Sequence, residues 1–407
     1  VVERTNVPRT ALQPFLIAAL AAVNVALAKA PPEYTARRFP IPENLVRDAK
    51  ATLSELRDTI VVTMCDKHAD MYCIVCRRLY NETGWAYIKS QSLTYKAASE
   101  PEAQIVTRLA DEAERLRDVS WWCPPQDGDD GPRLPTHRNP ECPTRLSHLH
   151  MLFKFHKPAP KPKAPRPICA NPNTPEFPVA RRVNAALGFI LAHSADRLWR
   201  DLGIHRFGFV LPSSSVLVGC EAVGERVRLI NQLISRGEID VHKLRFAVFD
   251  FTSMYTKFPH DMIMNRISHF LAHAFRFHAA KAKKQSVFLA VPHHHLYKRV
   301  ACFWTHTGTL SDAQQKTHTV LNLEGLIERL DFVVRNSYVF WGGEVFHQQI
   351  GVAMGLIPAG LIATIVCFTY EIEFLSRCLD RLDAVTRADP RSPEIPKLRA
   401  KVQFALL

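Results

Sequence analysis

The chain has 407 residues, 47% hydrophobic and 22% charged, with 52 Lys and Arg against 39 Asp and Glu. That length exceeds an average domain, and the composition excludes a disordered, fibrous or collagen-like protein. A net charge of +13 points to an anionic partner, whether nucleic acid, nucleotide or acidic lipid, and does not by itself choose among them.

Residues 11–28 are rich in Ala and Leu, but Gln13, Pro14 and Asn24 interrupt the run. It barely reaches spanning length, so the expectation is an Ala-rich helix of a soluble protein with no membrane partner. Residues 43–60 place Leu45, Ala49, Leu53 and Leu56 at helical spacing. Two strand-like runs follow: Ile60–Cys65, ending in Asp66-Lys67, and Met71–Tyr80. The ten cysteines are scattered, mostly inside apolar runs, which reads as reduced thiols in an intracellular protein. Cys65, His68, Cys73 and Cys76 contain one Cys-x-x-Cys half site without a second spaced pair, so they read as thiols on buried strands and not as a zinc site.

Residues 101–119 are predicted to be an amphipathic helix with Ile105, Leu109 and Leu116 on one face. Residues 121–145 read as a loop, and the Asp-Gly-Asp-Asp-Gly run at 127–131 lacks the later Glu of a calcium loop. Residues 148–168 are the most basic stretch. An alternating segment ends at Lys157, a Pro/Lys loop follows, and Arg166 restarts a strand. Such a hairpin carries cations where they can close over a triphosphate or a nucleic-acid backbone. A solubilising loop is the plainer alternative.

Helices are predicted over 179–200, with Val183, Leu187, Ile190 and Leu191 inward, and over 216–235, with Val223, Val227, Ile230 and Ile234 inward. Phe246–Phe249 then reads as a buried strand with Asp250 at its exit, followed by Tyr255 and by Pro259 at the start of a helix to about 277. A carboxylate there needs a metal, a cation or backbone N–H groups, unless it simply caps the next turn. Segment 278–320 has no clear periodicity, and its Lys281–Lys284 and His293-His-His runs read as basic surface loop. A helix over 320–335 precedes a hairpin over 337–350 with Gly342-Gly343 at its turn. Gly351 and Gly355 flank the next turn, an apolar helix over 356–369 closes at Tyr370-Glu-Ile-Glu, and the chain turns strand-like from Val402.

Four stretches in this order resemble reverse transcriptases, most closely the Penelope-like retroelement group, which is related to telomerase reverse transcriptase. They are Asp66-Lys67 after its β-branched run, Phe153-Lys-Phe-His-Lys-Pro with Arg166-Pro-Ile, Phe249-Asp-Phe-Thr-Ser-Met-Tyr, and Gln349-Ile-Gly-Val-Ala-Met-Gly with its apolar helix. The resemblance implies an α+β right-hand polymerase: fingers and palm, the palm an antiparallel sheet backed by helices, truncated before the thumb. It divides the chain into an N-terminal helical extension at 1–60, a fingers-like region at 61–235 and a palm at 236–407. By the same resemblance Asp250 and the Phe251 carbonyl hold a catalytic metal, magnesium or in its place manganese. Tyr255 tests the sugar for a 2′-hydroxyl, Lys157 and Arg166 hold the incoming triphosphate, and Gln349, Gly351, Met354 and Gly355 line the template and nascent pair. The implied partners are an RNA template, a DNA primer or RNA–DNA hybrid and dNTPs, and the implied location is the nucleus.

Nucleotidyl transfer of this kind needs two metal ions about 3.5–4 Å apart, clamped by carboxylates. Relatives supply them with a Tyr-x-Asp-Asp hairpin after the glycine turn, and no Asp-Asp follows position 130 here. Glu371 and Glu373 are expected to serve helix packing. The expectation is therefore an RNA-directed DNA polymerase fragment that is inactive by itself, with a catalytically dead polymerase-derived protein that binds RNA or hybrid as the alternative.

Overall fold

The computed structural model describes residues 58–66, 68–116, 145–154, 165–170, 174–203, 219–237, 254–293 and 299–406, with a few positions between 47 and 56. The expected helix over 11–28, the Pro/Lys loop and the strand ending at Asp250 lie outside them. The chain divides into two compact units, one of residues 1–87 with 151–166, the other of residues 88–150 with 167–407.

In the first unit, β1 (Ile60–Cys65) and β2 (His68–Cys76) form an antiparallel hairpin that turns at Asp66. β-Branched residues favour this pleated pairing. One hairpin face buries Thr63, Cys65 and Val75, while Val62, Met64, Tyr72 and Ile74 are exposed. The chain turns directly into α1 (Arg77–Ser90), where strand-like sequence had been expected as far as Tyr80. Tyr80 is buried, and its hydroxyl accepts the Met151 N–H at 3.1 Å. Helical geometry from Arg77 onward is what swings this ring onto that backbone.

The second unit holds β3 (Tyr95–Ala97), α2 (Glu102–Arg115), β4 (Ser147–Leu152) as far as His150, β5 (Arg166–Ala170) from Pro167, α3 (Phe177–Asp201), α4 (Gly219–Ser235) and α5 (His260–Ala282). It continues with β6 (Phe288–Pro292), β7 (Phe303–Thr305), β8 (His318–Leu321), α6 (Leu323–Arg335), β9 (Tyr338–Trp341), β10 (Glu344–Gln348), α7 (Ala359–Ala388) and α8 (Glu394–Leu406). A five-stranded sheet has the order β3-β10-β9-β4-β5, and a three-stranded sheet the order β7-β6-β8. The larger sheet is mixed, because β4 runs parallel to β9 while β10 is antiparallel to both its neighbours. At the β9–β10 turn Gly342 and Gly343 both take positive φ, 60° and 91°, as a two-residue hairpin with the right twist requires.

The helices bury the stripes their periodicity predicts. Ile105 and Leu109 of α2, Val183, Leu187 and Ile190 of α3, and Ile263, Ile267 and Ala274 of α5 are all fully buried. α4 departs from its prediction: Val227 is 51% exposed, and Leu233 is buried. The segment 278–320, unreadable from periodicity, carries the last turn of α5 and the small sheet. Its strands are short and are held by cross-strand pairing, which leaves little local pattern. His293, expected on a surface loop, meets the guanidinium of the buried Arg182 through Nδ1 at 3.3 Å.

α7 runs eighteen residues beyond Tyr370, to Ala388, instead of closing there. Its later turns carry charge on one side and bury Leu375, Leu379 and Leu382 on the other, and α8 packs against it. The chain is helical from Glu394, where strand had been expected from Val402, because Val402 completes a helical stripe with Leu398. α7 is, among the described residues, the one helix long and apolar enough to cross a membrane. Its Ile362, Ile365, Val366 and Phe368 are buried inside the unit, with Phe368 edge-on to Phe270 of α5 at 6.2 Å.

Candidate functional site

In the first unit the acidic turn of the β hairpin gathers the end of the basic stretch. Asp66 is 1% exposed. Its backbone N–H donates to the Phe153 carbonyl at 3.0 Å, and its carboxylate meets Arg166 Nη1 at 3.3 Å. A carboxylate this buried needs such a cation. Arg166 is still partly open to solvent, and its guanidinium has further donors to offer a phosphate. Lys157, its expected companion, lies outside the described residues.

In the second unit a knot of backbone joins the segment after Asp250 to the glycine turn. Met254–Thr256 form one turn of 3-10 helix, with Tyr255 half-buried. The Tyr255 carbonyl accepts the Val352 N–H at 2.8 Å and Gln348 Nε2 at 3.3 Å. The Gly351 N–H donates to the Phe258 carbonyl at 2.7 Å, and the Gly351 carbonyl accepts from His260 Nε2 at 2.8 Å. Because a carbonyl only accepts, that bond fixes the proton on Nε2. Burial holds the His260 imidazole below its usual pKa. Thr94 closes the knot, its hydroxyl donating to the Thr256 carbonyl at 3.1 Å and its carbonyl accepting the Gln349 N–H at 2.8 Å.

The two glycines are there for two reasons at once. Gly351 has φ +83°, and a Cβ on it would lie 2.1 Å from the Tyr255 oxygen. Gly355 has φ +111°, and its Cβ would lie 2.4 Å from the Cys169 oxygen. Both the left-handed backbone and the close approach exclude a side chain. The Cys169 N–H donates to the Met354 carbonyl at 2.6 Å, so the end of β5 is stitched to the same turn. Beside it Glu176, 3% exposed, opens α3. Burial pushes its carboxyl up to about 7, and Oε2 has no partner among the described residues.

Tyr255 and Gly351 are thus brought together, Met354 and Gly355 are set against Cys169, and Gln349 is exposed at the edge of the knot. Asp250 and Phe251 lie outside the described residues. Among those described, no group of three or more His, Cys, Asp or Glu side chains is placed to hold a metal ion. Glu373 is engaged elsewhere, with Arg266 Nη1 at 2.5 Å and with Arg377, while the Arg266 guanidinium lies 3.9 Å over the Tyr370 ring.

Sequence reasoning missed Gln348, which is fully buried and bonds both Tyr255 and Ile350 carbonyls. Strand alternation offered the signal. Phe346 faces the core, so Gln348 must as well, and Gln349 must leave the sheet. Nothing local marked His260, Thr94 or Cys169, whose roles arise from tertiary approach.

No protein-family model matches the chain, and no curated protein matches it. Among solved structures it is similar to an apo telomerase from Candida tropicalis truncated from its C-terminal domain, at 12% identity over 82% of this chain and 52% of that one, with a TM-score of 0.41. It is also similar to a telomerase from Candida albicans in complex with a TWJ fragment of telomeric RNA, at 12% identity over 84% of this chain and 48% of that one, with a TM-score of 0.45. The chain spans about half the length of the solved structures it matches.

Proposed function

We propose that the chain is part of an RNA-directed DNA polymerase of retroelement type, and that the knot of Tyr255 with Gly351–Gly355 is where template, primer end and nucleotide meet. The observation that carries this reading is the bonding of the Tyr255 carbonyl to Val352 and Gln348. Two motifs about a hundred residues apart in sequence, both part of the resemblance to polymerases, share one hydrogen-bonded turn. In this reading the Tyr255 ring stands beneath the sugar, where an aromatic edge gives a steric test. Gln349 and Met354 line the template and nascent pair, while the glycines let the turn close against the Tyr255 and Cys169 backbone that holds it in place. Arg166 and Lys157 offset triphosphate charge.

Magnesium belongs to the proposal through Asp250 and the Phe251 carbonyl, both oxygen donors of the kind that ion prefers. One carboxylate and one carbonyl are fewer ligands than a two-metal centre needs, so no chemical step is assigned to these residues. The 407 residues contain no Tyr-x-Asp-Asp sequence, which favours hybrid binding without synthesis for this polypeptide by itself.

The test is fluorescence anisotropy with a labelled RNA–DNA hybrid bearing a recessed primer end. Binding is expected to weaken steeply with salt, because phosphate contacts dominate such interfaces. Met354→Glu and Gln349→Glu, which place charge on the turn, are expected to weaken it roughly tenfold each. Unchanged affinity in both variants removes the glycine turn from the interface. Primer extension by the purified chain is expected to be absent, and sustained synthesis contradicts the binding-only state.

A further inference from the structure

The five-stranded sheet has two faces of different character. One is core: Leu149, Val339, Phe346 and Gln348 are all buried. The register places a second set together on the other face. His347 lies between Lys96 and Tyr338, and Phe340 lies beside His148, with His150 two residues further along β4. Lys96 and His150 are exposed, His347, Phe340 and His148 are half-buried, and Tyr338 is 9% exposed.

An open sheet face is ordinarily polar, with alternate residues such as Ser, Thr or Glu. Rings occupy it here. His347 stacks on Tyr338 at 4.4 Å and 13°, and His148 sits 5.1 Å from Phe340. The two ring rows are two residues apart along the strands, about 6.6 Å. Burial and the nearby Arg145 hold His148 below its usual pKa, and His150 is lowered by burial, His148 and Arg145. Both therefore present neutral flat rings near pH 7. Two carboxylates beside this face are already engaged. Glu100 pairs with Arg108, which also donates to the Tyr338 hydroxyl, and Glu102 accepts the Leu146 N–H.

We propose that this face docks single-stranded nucleic acid, the half-buried rings of His347, Phe340 and His148 and the exposed ring of His150 stacking on two or three bases, with Lys96 and Arg145 meeting phosphates. Sheets that present aromatic rings between cations bind single strands in this way, and stacking tolerates any base because every base has a π-face. The chain's charge of +13 favours the same occupant. The platform uses neither Tyr255 nor the glycine turn, so it stands or falls separately from the polymerase reading.

The experiment is anisotropy of a labelled oligouridylate of about ten nucleotides, within the usual site size of such grooves. Phe340→Ala is expected to weaken binding roughly 5- to 100-fold, and Phe340→Trp to retain it. Lys96→Glu is expected to weaken binding at low salt and to flatten the dependence of log K on log salt by about one charge. Fully paired hybrid should compete poorly for this face. Wild-type affinity in both Phe340→Ala and Lys96→Glu, with unchanged unfolding midpoints, overturns the proposal. So does displacement of the oligonucleotide by paired hybrid as readily as by free strand, or capture of a protein without any oligonucleotide binding. Should Phe340→Ala fail to fold, Lys96→Glu combined with His150→Ala carries the same test at exposed positions.

Discussion

A single methyl group at position 351 is the sharpest probe of the knot. Gly351→Ala forces a Cβ against the Tyr255 carbonyl and an L-residue into φ +83°. The expected loss is on the order of 3 kcal/mol or more, since strain and backbone displacement add. Urea denaturation measures it, and a loss below roughly 1 kcal/mol shows that the turn is looser than this geometry. Glu176 makes a pH-dependent prediction. Its folded pKa of about 7 lies above the ordinary 4.5, so the folded state holds the proton longer than the unfolded one. Stability therefore falls as pH rises from about 4.5 to about 7 and is flat above. Glu176→Gln is expected to be nearly neutral at pH 4 and stabilising by about 3 kcal/mol at pH 8. Denaturation at the two pH values checks this, and a pH-independent effect rules out the buried carboxyl as its source.

Local pattern made many of the elements legible. The stripes of α2, α3 and α5 follow 3.6-residue periodicity, and the β9–β10 hairpin announces itself by Gly342-Gly343. Elements whose stability comes from elsewhere were not legible. The small sheet of β6, β7 and β8 is short and irregular in sequence, and α7 continues through charged residues that a run-length reading takes for an end. The site divides in the same way. Gly351 and Gly355 were readable because only glycine tolerates such turns, whereas the buried partners Gln348, His260 and Cys169 are chosen by tertiary approach. One element carries a correctable flaw. α5 ends with Lys283 at φ 54°, where the Lys284 N–H returns to the Ala279 carbonyl at 3.0 Å, a termination that favours glycine. Lys283→Gly is expected to stabilise by about 0.5–1 kcal/mol in thermal or urea unfolding, and a loss of stability means that the lysine side chain holds a contact of its own.

Across the whole molecule, the strong positive charge points toward an anionic partner. The apolar helix is used to build a core, and the cysteines among the described residues are free thiols. Burial pushes the thiols of Cys169 and Cys302 up to about 12. The most direct measurement is photo-crosslinking of a bound RNA–DNA hybrid that carries a reactive base at its recessed primer end, followed by peptide mapping. Adducts on the peptides containing Tyr255 and residues 349–355 are predicted. Adducts confined to other parts of the chain, or none despite saturated binding, contradict the claim that this knot receives the primer end.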